Sequence, residues 1–111
     1  MMIYEPAAIA ARAVAASATR PATAIVHDAP DARLVVFRIA PGQNVAPHTS
    51  RSTVMLSILA GSGVVSGSDG ERAVHAGDLI AYEPNEMHGM HAVDEPLVLL
   101  AIIAPRPGSV E

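Results

Sequence analysis

The chain has 111 residues, of which 50% are hydrophobic, 16% are charged and 3% are aromatic, and its net charge is -4. This length predicts one domain with a small aliphatic core, and the low charged fraction excludes a disordered chain. The seven basic residues are scattered arginines, so the chain lacks the basic face that nucleic acid requires and no nucleic-acid partner is expected.

The same counts limit cofactors and cellular location. Without cysteine, a metal site would have to use histidine, carboxylate and water. No apolar run approaches the roughly 20 residues of a membrane-spanning helix, so no membrane partner is expected. The alanine-rich residues 7–18 are interrupted by Arg12 and follow no basic segment, which is not typical of a signal peptide. We therefore expect a cytoplasmic protein.

Residues 6–18 are rich in helix-forming alanine and have Pro6 near their start. They predict a short helix or an irregular arm that ends before Pro21, because the residue before a proline avoids the helical region. We assign residues 1–22 to this arm and residues 23–111 to a β-barrel domain.

After the arm, short β-branched and aliphatic runs alternate with turns rich in glycine, proline and aspartate. Turn signals recur about every 8–12 residues, the pattern of an all-β sandwich or barrel. The sequence predicts eight or nine strands, at residues 23–27, 33–40, 45–50, 53–59, 64–66, 71–75, 79–82, 88–93 and 97–103.

The last predicted strand, residues 97–103, reads LVLLAII and does not alternate between apolar and polar residues. Such a run predicts that both faces of the strand are buried. The cover is either the rest of the chain or a partner chain.

Two stretches of the chain each place a histidine after a turn. In the first, Gly42 is followed by five residues and His48, and Gly61 closes the stretch. The second runs from residues 77–78, a Gly-Asp pair, through a turn that contains proline to His88.

In this order and separation, the two stretches resemble the two motifs of the cupin superfamily, over residues 42–61 and 77–92. The resemblance implies an all-β fold, a small double-stranded β-helix (jelly-roll) barrel of the cupin type with a pocket at one end. It also implies a homodimer.

Cupin metal sites commonly use two histidines and a glutamate from the first motif and a histidine from the second. This chain has His48 and His88 at two of those positions, but Ser50 and Val54 at the other two. Valine cannot coordinate a metal, and neutral serine is a poor ligand for a hard cation. The resemblance therefore implies either a reduced two-histidine site for one divalent ion (Fe, Mn, Ni or Zn) or a pocket without a tightly held metal.

Side chains alternate between the faces of a strand, so Met90 is expected to share the pocket with His88 while His91 faces outward. Similarly, Ser50 is expected on the side of His48. The aliphatic side chains of residues 54, 56 and 58 should point inward. The candidate ligand-pocket residues are His48, Ser50, Val54, Tyr82, His88 and Met90. Such a pocket suits a small, partly apolar molecule, unless the aliphatic side chains fill the barrel completely.

Other polar residues have simpler interpretations. His27 and His75 lie beside turns and are expected to be solvated. Glu83 and Glu86 flank a turn before His88, where they either supply a carboxylate for acid–base chemistry or are solvated.

Three hypotheses about function follow. The protein is a barrel that binds a small molecule, or a small metal-dependent enzyme of the dioxygenase or isomerase type, or a stable dimeric barrel with vestigial histidines. We expect His48→Ala and His88→Ala to leave folding nearly intact, because residues that line a pocket lie outside the core.

Overall fold

One helix precedes nine strands in the computed structural model, which describes residues 1–107. Residues 108–111, the end of the domain expected from the sequence, lie outside the described residues. The helix is α1 (Pro6–Arg12), and the strands are β1 (Ala22–Ala29), β2 (Ala32–Ile39), β3 (Asn44–His48), β4 (Thr53–Ala60), β5 (Ser62–Gly67), β6 (Gly70–His75), β7 (Leu79–Tyr82), β8 (His88–His91) and β9 (Leu97–Ala104). The described part of the chain contains no helix that is long and apolar enough to cross a membrane.

The strands form two antiparallel sheets, a five-stranded sheet in the order β1-β2-β9-β4-β7 and a four-stranded sheet in the order β3-β8-β5-β6. The main core lies between them. It combines Leu56 and Leu99 of the first sheet with Val65 and Met90 of the second. This arrangement confirms the all-β jelly-roll prediction.

The strand β9 is buried on one face and partly buried on the other, where the sequence predicts burial of both, and its cover comes from the chain itself. Leu97 and Leu99 point into the main core, where neither is exposed. Val98 and Leu100 point the other way and pack in a second cluster that includes Ala10 of α1. An apolar layer on each side removes the need for polar residues, which explains the missing alternation.

The helix α1 is shorter than the alanine-rich segment that predicts it, because it ends at Arg12. The guanidinium group of Arg38 donates hydrogen bonds to the carbonyl oxygens of Ala10 and Ala13. These contacts satisfy carbonyl groups that a continuing helix would bond internally. After Arg12 the backbone is extended, with φ -64° and ψ 142° at Ala13.

A glycine pair at residues 61 and 63 packs closely against the backbone at the end of β8 and just before β9. Gly61 has φ +75°, and a Cβ atom there would lie 1.8 Å from the carbonyl oxygen of Pro96. Gly63 is already part of β5, and a Cβ atom there would lie 2.6 Å from the carbonyl oxygen of His91. The predicted strands leave residues 60–63 between them, whereas β5 already begins at Ser62.

Candidate functional site

A partly open cavity of about 310 Å³ lies between the two sheets. Its presence means that the aliphatic side chains do not fill the barrel completely. The walls combine apolar side chains with a smaller polar group near the strand ends. The lining residues are Phe37, His48, Thr49, Ser50, Val54, Leu56, His88, Met90, Ala101, Ile103 and Pro107.

Five of the six residues expected in the pocket line this cavity, and they come from both cupin-like stretches. His48 and His88 are paired across the β3–β8 ladder. The centroids of their rings are 4.2 Å apart, at an interplanar angle of 60°. Met90 also lines the cavity and His91 does not, as strand alternation predicts.

A backbone hydrogen bond joins the two stretches next to the histidines. The N–H of Asn85, in the turn after β7, donates to the carbonyl oxygen of Ser50 at 2.6 Å. Asn85 has φ +68°, a left-handed conformation that asparagine tolerates better than most residues. The bond fixes the β7–β8 turn against the loop that follows β3, so both histidines are placed by one connected backbone.

Both imidazole rings are held in the same way. Nδ1 of His48 lies 3.0 Å from the carbonyl oxygen of Ala46, and Nδ1 of His88 lies 3.1 Å from that of Glu86. A carbonyl oxygen can only accept, so each Nδ1 carries the hydrogen. We therefore assign the neutral rings as Nδ1–H tautomers, which leaves the Nε2 lone pair of each ring available.

The two histidines differ in burial. His48 is exposed at the end of β3, whereas His88 is only 4% exposed. Burial lowers the pKa of His88 below its ordinary value of 6.5, and the neighbouring His48 acts in the same direction. The carbonyl and carboxylate groups of Glu86 oppose this shift. His88 is thus a neutral hydrogen-bond acceptor near pH 7.

The expectation that both histidines lie outside the core is wrong for His88. The strand β8 lies between β3 and β5 in its sheet, so its inward side chains are covered from both sides. His88→Ala would remove a ring that packs inside the protein, whereas His48→Ala would remove an exposed one.

Tyr82 does not line the histidine cavity, contrary to the sequence-based expectation. Its ring centroid is 4.9 Å from that of His88, but its hydroxyl group donates to the carbonyl oxygen of Ser66 at 2.8 Å. The long side chain thereby crosses from β7 to β5 and contributes to a separate cavity of about 540 Å³. Burial, followed by the charges of Glu86 and Asp69, raises the pKa of Tyr82 to about 12.

Glu86 does not face the histidine cavity either, and Glu83 is exposed outside it. The Glu86 carboxylate accepts hydrogen bonds from the N–H and hydroxyl groups of Ser68, at 3.1 and 2.8 Å, and from the N–H of Glu83 at 3.0 Å. The bonds from Ser68 and Glu83 lower the pKa of this carboxyl group. Glu86 therefore fixes the turn before His88.

The remaining histidines lie away from the cavity. His75 is exposed, with its Nδ1 atom 3.8 Å from a carboxylate oxygen of Asp78. His27 is partly buried rather than solvated, because its Nδ1 atom lies 2.9 Å from the hydroxyl oxygen of Tyr4.

Sequence reasoning missed five of the eleven lining residues. Phe37, Ala101 and Ile103 line the cavity from β2 and β9, and Thr49 and Pro107 line it from connecting segments. Because β9 is apolar throughout, its sequence does not show which of its faces lines the cavity. The position of β9 between β2 and β4 decides this.

The described polar residues do not form the full set of four metal ligands that is common in the family. Among residues 1–107, no group of three or more His, Asp or Glu side chains is placed to hold a metal ion. Ser50 and Val54 line the cavity where the family commonly has a histidine and a glutamate. Two imidazoles fall short of the three protein ligands that are usual for catalytic zinc.

Comparisons with known proteins agree with the fold. The chain resembles a conserved protein with a double-stranded β-helix domain from Klebsiella pneumoniae (TM-score 0.81, 23% identity), covering 96% of this chain and 91% of that one. It resembles an RmlC-like cupin protein from Desulfovibrio desulfuricans (TM-score 0.73, 25% identity, 85% and 91% coverage). It also resembles a predicted oxalate decarboxylase from Thermotoga maritima (TM-score 0.73, 23% identity, 77% and 80% coverage).

No curated protein matches the sequence. The family described as the Cupin domain matches residues 35–103, which is more than half of the chain and includes both histidine stretches. The match extends from β2 to β9 and so spans every strand that contributes to the cavity. The chain therefore belongs to the cupin family.

Proposed function

We propose that this protein binds a small, partly apolar molecule in the cavity beside His48 and His88. The observation that carries the proposal is a cavity of about 310 Å³ with apolar walls and two imidazole rings at one end. Ligand pockets measure about 300–1,000 Å³, and an apolar cavity of about 150 Å³ already holds benzene. The ligand should therefore be about the size of a substituted single ring.

A thermal-shift screen with substituted monocyclic compounds tests this proposal. A ligand that binds only the folded protein raises the melting temperature as its concentration rises above its Kd. Ala101→Leu should abolish the shift, because Ala101 lines the cavity and the larger side chain fills it.

His75→Ala is the matched control, since His75 lies on β6 outside the cavity. Equal shifts in the parent protein and in Ala101→Leu would mean that the compounds bind elsewhere.

A second candidate function is a small metal-dependent enzyme of the dioxygenase or isomerase type. It is favoured by the two imidazole rings, whose centroids are 4.2 Å apart. In each ring Nδ1 is bonded to a carbonyl oxygen, and no described group bonds to Nε2. Metal-ligating histidines commonly donate their second ring N–H in this way. His48 and His88 would hold one divalent ion (Fe, Mn, Ni or Zn), which would act as a Lewis acid.

Elemental analysis separates the two candidates. Protein purified without chelator is compared with the double variant His48→Ala/His88→Ala and with the control variant His75→Ala. About one equivalent of metal in the parent and the control, lost in the double variant, would establish the metal site. Metal at the same level in all three proteins would exclude these histidines as its ligands.

We also propose that the protein is a homodimer in the cytoplasm. The apolar β9 no longer supports a dimer, because the chain itself covers both of its faces. Support comes from the family resemblance and from the exposed apolar side chains of Ile3 and Val14 near α1. Light scattering at micromolar concentration tests the homodimer, and the mass of a single chain would contradict it. Cell fractionation tests the cytoplasmic location.

A further inference from the structure

Among residues 1–107, the residues that line the histidine cavity include no side chain with a permanent charge. None of them is arginine, aspartate or glutamate, and the chain has no lysine. A carboxylate or phosphate in this cavity would lose its hydration without gaining a counter-charge, which is costly. The walls therefore favour an uncharged molecule.

The two imidazoles offer hydrogen-bond acceptors to a ligand. Each Nδ1–H is already donated to a backbone carbonyl oxygen, which leaves the Nε2 lone pairs. Among the described residues, no buried side-chain nitrogen or oxygen lacks a hydrogen-bond partner. No described group bonds to Nε2 of His88, so this atom is not one of the fully buried atoms. It therefore keeps some accessible surface, although the residue as a whole is only 4% exposed.

Ser50 offers the opposite capacity. Its Oγ atom accepts a hydrogen bond from the N–H of Ser52 at 3.1 Å, which leaves the hydroxyl hydrogen for donation. The polar end of the cavity thus presents acceptors and a donor. A hydroxyl group can both donate and accept, whereas an ether or a carboxylate can only accept and an ammonium group can only donate.

We infer that the cavity binds an uncharged, ring-sized molecule that bears a hydroxyl group, whose hydrogen is donated to an imidazole Nε2 while its apolar body lies against Phe37, Met90 and Ile103. The inference rests on the proposed function and narrows it to phenols and cyclic alcohols. It requires the Nδ1–H tautomer at His88, which the hydrogen bond from Nδ1–H to the carbonyl oxygen of Glu86 favours.

Three matched probes test the inference by calorimetry or NMR titration at pH 7.5. They are 4-methylphenol, 4-methylanisole, in which the hydroxyl hydrogen is replaced by methyl, and 4-methylbenzoate, which carries a charge. We expect 4-methylphenol to bind at least about fivefold more tightly than either analogue, the effect of one net hydrogen bond.

Variants that replace an imidazole with a phenyl ring identify which histidine produces the preference for the phenol. Of His48→Phe and His88→Phe, the variant that removes the accepting imidazole should lose the preference for the phenol over the anisole, and retention of the preference in both would overturn the inference. His75→Phe is the matched control and should retain the preference, because the side chain of His75 is 76% exposed on β6, away from the cavity. His48 is exposed, so its variant keeps the test available if His88→Phe does not fold.

The outcomes separate the inference from the proposed function. Equal binding of phenol and anisole, or tighter binding of the benzoate, would overturn the inference while the cavity remains a binding site. Failure of all three probes to bind would overturn both. Proton–nitrogen NMR of the histidine rings gives an independent check, and an Nε2–H tautomer at His88 in the free protein would overturn the inference.

Discussion

Gly42 and Gly61, the first and last residues of the first cupin-like stretch, both adopt left-handed backbone conformations, with φ +88° and φ +75°. Their surroundings differ. A Cβ atom at residue 42 would meet nothing within 4 Å, whereas one at residue 61 would lie 1.8 Å from the carbonyl oxygen of Pro96. The same substitution at the two sites therefore separates backbone strain from a clash.

Gly42→Ala should lower the free energy of unfolding by about 1–2 kcal/mol, the cost of a left-handed non-glycine residue. Gly61→Ala should lower it by more, because the backbone at Pro96 must also move. Urea denaturation of both variants and the parent measures the difference. Equal losses would mean that the contact at residue 96 relaxes without cost.

The residue scale also shows where reading the sequence succeeds. Strand alternation predicts that His88 and Met90 line the cavity and that His91 does not, as found, because alternation is a local property. Tyr82 differs from the expectation, because its position depends on how far its ring reaches across to β5. That distance is a property of the packed sheets and is not encoded in the spacing of residues.

At the scale of elements, the turn between β7 and β8 is fastened to the β5–β6 hairpin by the Glu86 carboxylate. Glu86→Gln should lower the melting temperature, because an amide NH₂ group would face one of the N–H donors that the carboxylate now satisfies. Faster amide hydrogen exchange at Ser68 and at residue 83 should accompany the loss.

Glu83→Gln is the matched control for that prediction. Glu83 lies in the same turn, but among the described hydrogen bonds only its backbone takes part. Similar melting temperatures for the two variants would show that general charge, and not the fastening, stabilises the turn.

The strands themselves were predictable, because β-branched runs and glycine or proline turns are local signals. Their lateral order was not. Nothing in residues 97–103 indicates that β9 lies between β2 and β4, so the contributions of Phe37, Ala101 and Ile103 to the cavity could not be foreseen. The end of α1 at Arg12 could not be predicted either. The guanidinium group that bonds to the carbonyl oxygens at this end belongs to Arg38, which is 26 residues further along the chain.

At the scale of the whole molecule, Asp28 connects the end of β1 with Arg33 on the neighbouring β2 and with Arg106, which is 78 residues further along the chain. Its carboxylate pairs with Arg106 at 2.6 Å and with Arg33 at 3.2 Å. Hydrogen bonds from Arg106, followed by those from Arg33, lower the pKa of Asp28 from 3.8 to about 2. The segment that contains Arg106 continues to Pro107, which lines the histidine cavity.

This shift predicts how stability depends on pH. A carboxyl group whose pKa is lower in the folded state stabilises the fold above its unfolded pKa, and that contribution disappears as the pH falls. For Asp28 the loss should occur between about pH 4 and pH 2, in the window between the two pKa values. Urea midpoints measured across this range should fall more steeply for the parent than for Asp28→Asn.

Asp31→Asn is the control for the acid titration. Asp31 lies in the turn between β1 and β2, and no ion pair among the described residues uses it. If Asp28→Asn and the parent lose stability in parallel, the pairs with the two arginines contribute nothing measurable.

Ser50 and Val54 line the same cavity as His48 and His88, so ligands substituted at these two positions would lie beside the two imidazoles. The cavity is two substitutions away from the full donor set of the family. Ser50→His/Val54→Glu should therefore destabilise the metal-free protein, since Val54 is only 5% exposed, and should recover stability when zinc is added. Calorimetric zinc titration of the double variant beside the parent measures this change. A result of one ion per chain would show that the backbone around the cavity already has the geometry of a four-ligand site, and that the side chains at residues 50 and 54 decide between an apolar wall and a metal centre.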